Sequence, residues 1–433
     1  MFCLFVLVIF CLIALREWLL RRSLSQKTIE KIQKKVAQEI AMGNWESAAK
    51  ELKPLKQKRL GGLETILFNV QILLGNKCLP EALRYVEESL LSYQDDFSLY
   101  KEKAKVLLAL GKPKEALECF KKSEVLLHGE EDFLDLATAL FQTGDVDGAW
   151  YYLREILKDV KNGRVLALAG DCHFYLGEYK EAIGFYRQAL EIGWNNYQVL
   201  ARMGHSLRSI GKLPEAESFF SEILEKDPSD VSSTLGLGAC LEAKGMYGKA
   251  LLVYQTGKAW DFGDENILLQ AGICAIYTHK YDFAEMYLRE SIKRGAKSPE
   301  SLAFLGYSLE KQTRWEDAER VYMRLVDDYP EHIAGYRALA WIYGVGHSSS
   351  LSEEEGLIMA RKALKLQPDA VSWEALSACE ARAGNFKKAH NIQERLSSQA
   401  NNETTRMRRC KAMRVLRKKR PLDENHVSRI LVA

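Results

Sequence analysis

Residues 300–330 read ESLAFLGYSLEKQTRWEDAERVYMRLVDDYP. Leu302, Leu305 and Gly306 fall in the first half, Trp315, Ala318 and Tyr322 in the second, and Pro330 closes the stretch. Ala318 and Tyr322 are four residues apart, so they share one face of a helix, and a proline cannot continue that helix. Working outward, glycines recur at 170, 204, 238, 272 and 306, a constant step of 34 residues. Twelve residues behind them runs a second small-residue column, Ala182, Ala216, Ala250, Ala284 and Ala318. That column extends back through Ala48, Ala82, Ala116 and Ala149 and forward through Gly356 and Ala389. Self-similarity at this period marks an array of helix pairs, here eleven units from about Ile29 to about Ala400.

Between the columns a turn repeats, as in Gly111-Lys-Pro-Lys-Glu-Ala116, Gly177-Glu-Tyr-Lys-Glu-Ala182 and Gly211-Lys-Leu-Pro-Glu-Ala216. Glycine ends the first helix because it enters the left-handed region without steric cost. Pro113 and Pro214 sit in the first turn of the next helix, where a missing N–H costs nothing. Four residues after the alanine stands a large residue: Phe120, Leu153, Tyr186, Phe220, Tyr254, Leu288 or Tyr322. Small residues such as Gly238 and Ala250 suit the points where two helices cross closely. The nine cysteines are odd in number and form no C-x-x-C, and the eight histidines are scattered, so neither a disulfide framework nor a metal site is expected. Cys172, Cys240 and Cys274 share one column with Ser206 and Ser308, and Cys379 holds the same place in its unit, which makes them packing residues.

The pattern resembles the tetratricopeptide repeat over about 370 residues. That resemblance implies an all-α, right-handed superhelical solenoid of about eleven helix-turn-helix units. It also implies a concave face lined by the first helix of each pair. Carried over position by position, this groove holds Lys101, Lys105, Thr138, Phe141, Arg164, Asp171 and Phe174. Further along it holds His205, Arg208, Glu242, Asn266, Ile273, Ile276, Tyr307, Glu310, Arg337 and Trp341, with Tyr277 beside the line. Rigid aromatics and charges together suit a peptide or helix of a partner protein. The competing reading makes Phe174, Ile276 and Trp341 packing residues between units. Family members that hold acidic chaperone tails use a Lys-Asn-Asn-Lys-Arg clamp. Here Lys101 is in place, but Lys105 and Asp135 stand where asparagines belong, so that docking mode is not expected.

Two terminal segments lie outside the repeats. Met1 to Leu15 carry no charge, Arg16 and Glu17 interrupt, Trp18-Leu19-Leu20 resume, and Arg21-Arg22 close the stretch. Twenty such residues span about 30 Å as a helix, and no signal-peptide cleavage pattern follows. Residues 16–35 hold seven Lys/Arg and two Glu, so the expectation is a single-pass anchor over 1–22, with repeats over 23–400 facing the cytoplasm. The layout is similar to bacterial lipopolysaccharide-assembly regulators, without their paired C-x-x-C module, and suggests a bacterial chain. At the other end, residues 401–433 form a basic tail. Its bases are Arg406, Arg408, Arg409, Lys411, Arg414, Arg417, Lys418, Lys419 and Arg420, with no acid among them.

Those nine bases matter to the overall charge. The 433 residues hold 61 Lys/Arg and 58 Asp/Glu, a net charge of +3, leaving 52 bases against 58 acids outside the run. A uniformly basic nucleic-acid protein is excluded, whereas the tail itself offers contacts to nucleic acid or anionic lipid. No phosphate loop, dinucleotide fingerprint or nucleophile elbow occurs, and the repeats leave no room for a catalytic domain. Pairs such as Glu130-Glu131 and Asp327-Asp328 lie at unit boundaries, where acids favour a helix N-terminus or solvent. The sequence therefore predicts a non-enzymatic protein-interaction scaffold with no cofactor and no small-molecule substrate. A secretion-system chaperone and an RNA- or lipid-associated protein working through the tail are the alternatives.

Overall fold

The structure, a computed structural model, describes residues 25–94, 96–123, 129–158, 162–256, 264–400 and 402–427. Among them are 23 α-helices and no strand. They come as pairs: α1 (Gln26–Ala41) with α2 (Trp45–Lys58), α3 (Gly62–Gly75) with α4 (Leu79–Ser92), and α5 (Phe97–Ala109) with α6 (Pro113–Lys122). Next are α7 (Glu130–Thr143) with α8 (Val146–Ile156), α9 (Gly163–Tyr175) with α10 (Tyr179–Glu191), and α11 (Tyr197–Ser209) with α12 (Leu213–Lys226). Then come α13 (Val231–Ala243) with α14 (Tyr247–Thr256), α15 (Glu265–Tyr277) with α16 (Tyr281–Lys293), and α17 (Pro299–Lys311) with α18 (Trp315–Asp328). The last are α19 (Ile333–Val345) with α20 (Glu353–Leu366), α21 (Ala370–Arg382) with α22 (Phe386–Ser398), and the single α23 (Glu403–Arg417). Two compact units divide the chain within α11, one ending at Arg202 and the other starting at Met203.

The two helices of a pair are buried differently, and the sequence says why. In α18 only Ala318, Glu319, Tyr322 and Leu325 are buried, one stripe at helical spacing. In α17 nine of thirteen residues are buried, from Ser301 to Glu310, because this helix packs against its own partner and against both helices of the preceding pair. Gly170, Gly204, Gly238, Gly272 and Gly306 are the crossing points. A Cβ on any of them would overlap Tyr186, Phe220, Tyr254, Leu288 or Tyr322 respectively, sixteen residues further on in the same pair. The glycine column and the large-residue column thus form one contact, repeated five times. Cys172, Cys240, Cys274 and Cys379 are fully buried beside it, with Ser206 and Ser308. Burial pushes the Cys172 thiol up to about 12, which leaves no reactive thiolate there.

The turn between paired helices needs one left-handed residue. Gly111, Gly144, Gly177, Gly211, Gly245 and Gly384 supply it with φ between 71° and 91°. Where glycine is missing the geometry persists: Lys77, His279 and Thr313 hold the same place at φ 60°, 59° and 60°. A β-branched residue in this region is strained by about 1–2 kcal/mol, part of which glycine returns as unfolded-state entropy. Thr313→Gly is therefore expected to stabilise the chain by about 0.5–1 kcal/mol. A thermal melt checks it, and an unchanged or lower midpoint would contradict the strain.

Aspartate or asparagine caps many first helices. Asp96, Asn162, Asp230, Asp264 and Asp369 each accept a backbone N–H of the first turn through the side chain, an arrangement that satisfies otherwise orphaned donors. The insertion in the tenth unit also has a structural role. Glu319, almost fully buried, accepts hydrogen bonds from the Ser348 hydroxyl (3.1 Å), the Ser349 N–H (3.1 Å) and the Ser350 hydroxyl.

One expectation is corrected. No helix among the described residues is long and apolar enough to cross a membrane. A single-pass membrane placement with repeats facing the cytoplasm is therefore unsupported. Residues 1–22, on which that placement rested, lie outside the described residues.

Candidate functional site

Within the first unit, α3, α5, α7 and α9 line a groove of about 820 Å³. Its walls include Gln71 and Leu74, Glu102, Lys105 and Leu108, Leu134, Asp135 and Thr138, and Arg164. Lys105, Thr138 and Arg164, positions carried over from the tetratricopeptide resemblance, are among the lining residues. Charge dominates its middle. Lys101 and Lys105 both reach Asp132, at 2.8 and 3.6 Å, and Arg164 reaches Asp135 at 3.4 Å. Burial costs the Lys105 ammonium solvation, but the carboxylates of Glu102, Asp132, Asp135 and Glu131 outweigh that and raise its pKa. For Asp135 burial acts the other way and raises the carboxyl pKa, with Arg164 and Lys105 opposing.

Further along this unit the groove positions become aromatic. Phe141 and Phe174 are half-buried and meet at Tyr175, with ring centroids 5.3 and 5.6 Å away and edge-on geometry in both cases. Tyr175 itself is 62% exposed. Arg164 is exposed as well, whereas Asp171 is buried. Asp171 accepts the Tyr186 hydroxyl at 2.8 Å and pairs with Arg202. Burial raises the Asp171 pKa while those two partners pull it down.

In the second unit, Tyr277 is 50% exposed and stacks on Tyr247, centroids 4.3 Å apart and planes 12° from parallel. Tyr307 is half-buried under the Lys311 ammonium, 5.2 Å from the ring centroid. Ile273 is half-buried and packs on the core. His205 is half-buried against Ser232 (3.0 Å), and burial lowers its pKa, assisted by exposed Arg208. Arg337 and Trp341 are 3% and 5% exposed and belong to the packing. Arg337 donates to Ser372 Oγ at 3.0 Å and pairs with Asp369, and Trp341 lies against Trp315. Trp341 is thus covered by its neighbours.

Two features of the groove face escaped the sequence reading. Glu102 lies one residue off the transferred positions, yet it lines the cavity and is 4% exposed. Its equivalent in the next unit, Asp135, was noticed only as a mismatch to the chaperone clamp. The groove carboxylates are also held by buried tyrosines: Tyr254 donates to Glu242 and Tyr322 to Glu310, each at 2.7 Å and each twelve residues apart. The repeated interval between Glu and Tyr was the available signal.

The basic run is partly folded into the body. Arg409 is buried, donating to Glu374 and to the Leu396 carbonyl, and Arg408 reaches the same Glu374 at 3.2 Å. Ala412 and Leu416 are buried on the same helix, and Arg417 touches His390. Arg406, Lys411, Arg414, Lys418, Lys419 and Arg420 remain exposed. The first three line a cleft of about 730 Å³ with Met407 and Cys410.

With this geometry in place, comparison with known proteins identifies the repeat. Tetratricopeptide-repeat models match residues 134–197, 202–262 and 305–332. The chain carries tetratricopeptide repeats, and such repeats bind other proteins or peptides. A protein CTR9 homolog of Arabidopsis thaliana is 24% identical over 296 residues, 57% of this chain and 27% of that protein. The BBSome complex member BBS4 of Bos taurus is 23% identical over 182 residues, 42% of this chain and 35% of that protein. The chain thus spans about a quarter to a third of the length of these relatives. The C-terminal part of a tetratricopeptide-repeat protein from Cytophaga hutchinsonii superposes with a TM-score of 0.47 at 13% identity, covering 56% of this chain and 99% of that one.

Proposed function

We propose that the chain is a non-enzymatic scaffold whose first helices bind peptide segments of partner proteins. The observation that carries this reading is aromatic surface on and beside the groove line. Exposed Tyr277 stacks on half-buried Tyr247 of α14, and half-buried Phe141 and Phe174 meet at exposed Tyr175. Rigid aromatic surface with little entropy to lose is what peptide recognition uses. Action through the basic tail is less favoured, because Arg408 and Arg409 are committed to Glu374.

The test is in-cell crosslinking and affinity capture with the full chain, beside a Tyr277→Ala/Tyr307→Ala variant and an Arg406→Ala/Lys411→Ala/Arg414→Ala variant. Loss of two groove aromatics is expected to weaken a captured protein partner by at least about tenfold, while the charge variant retains it. Retention by the aromatic variant and loss from the charge variant would refute the groove reading.

A further inference from the structure

Among the described residues, Glu102 is a buried carboxylate with one oxygen left unmatched. Its side chain sits on α5, 4% exposed, in the wall of the first unit's groove. One carboxylate oxygen accepts the Gln71 amide at 2.9 Å, and the other, Oε2, is buried with no hydrogen-bond partner. Leaving a buried carboxylate oxygen unpaired is costly, and folded proteins avoid it unless the group has another use. Lys105 and Lys101 attract the Glu102 carboxylate, but no hydrogen bond reaches its Oε2. Lys101 and Lys105 are engaged with Asp132, and Arg164 with Asp135. Counting Glu131, four carboxylates surround this stretch of groove against three bases.

We infer that this stretch of the first unit's groove is a subsite for a lysine or arginine side chain of an extended peptide, whose cationic head completes the free oxygen of Glu102. The inference rests on the peptide-binding reading and adds the chemistry of the partner. An organic cation suits the site better than a metal ion, since a single free oxygen beside two ammonium groups is too poor a donor set for a divalent cation. The apolar walls fit the rest of such a side chain. Leu74, Leu108 and Leu134 line the same groove and offer contact to its methylene stem. The groove of about 820 Å³ has room for the flanking residues of the peptide.

The test is selection of a random nonapeptide library, displayed on phage, against the full chain and against its Glu102→Gln variant. The parent is expected to enrich peptides with lysine or arginine at one fixed position, and the variant to lose that enrichment. A selected peptide and its analogue with norleucine in place of that lysine are then titrated calorimetrically. The analogue should bind the parent about tenfold or more weakly, the effect of one charge-assisted hydrogen bond, and the two should bind the variant alike. Enrichment without a basic position, or the same basic position on both proteins, would overturn the subsite while leaving peptide binding intact. No enrichment on either protein would overturn both. Folding is read separately. Burial raises the Glu102 pKa, so the ionised carboxylate destabilises the fold at neutral pH and Glu102→Gln should melt no lower than the parent. A variant melting well below the parent would assign Glu102 to folding and overturn the subsite.

Discussion

Arg409→Met is expected to lower the stability of the second unit by about 3 kcal/mol, the lower part of the range for breaking a buried ion pair. Arg409 is 5% exposed and Glu374, its partner on α21, is 1% exposed. Their contact is 2.9 Å, and a second guanidinium nitrogen donates to the Leu396 carbonyl at the end of α22. Removing the cation leaves Glu374 charged in a site with little water. Arg408 tempers the loss, since its two bonds to Glu374 at 3.2 Å remain. The double variant Glu374→Met/Arg409→Met should recover part of the stability, because an apolar pair carries no desolvation penalty while Arg408 loses its carboxylate partner. Thermal melts of the two variants check this. If Arg409→Met melts like the parent, α23 is not held by this pair.

A second large effect is expected at Tyr322. Its ring fills the space over Gly306 and is 1% exposed, and its hydroxyl holds Glu310 at 2.7 Å. Tyr322→Ala empties that crossing and should cost about 3–5 kcal/mol. Tyr322→Phe keeps the ring and removes only a hydrogen bond to a charged group, about 1.5–3 kcal/mol. Equal losses for the two variants, measured by denaturant unfolding, would mean that the ring does not pack as the repeat requires.

Much of this fold is written into the sequence because the repeat rewrites it five times. The step from Gly306 to Tyr322 is also the step from Gly238 to Tyr254 and from Gly170 to Tyr186, so one steric rule accounts for both columns. The helix boundaries followed from glycine and proline, which act locally. The cap column of Asp96, Asn162, Asp230, Asp264 and Asp369 was equally legible, eight residues before the small-residue column, and went unread. The fate of the groove positions was less visible. Trp341 and Tyr277 look alike as aromatic residues on a first helix, but their burial depends on what the neighbouring pair presents. Trp341 meets Trp315, and Tyr277 finds Tyr247 on one face and solvent on the other. The basic run misled for the same reason: Arg409 is indistinguishable from Arg406 until Glu374, 35 residues away, is folded beside it.

The most direct test of peptide binding along the first helices is site-specific photo-crosslinking in cells. A photoreactive amino acid is placed at Tyr175, at Tyr277, or at exposed Lys249 on a second helix, in otherwise unaltered full-length chains. The scaffold account predicts crosslinked partner bands from Tyr175 and Tyr277 and none from Lys249. Equal or stronger crosslinking from Lys249, with Tyr175 and Tyr277 silent, would contradict it.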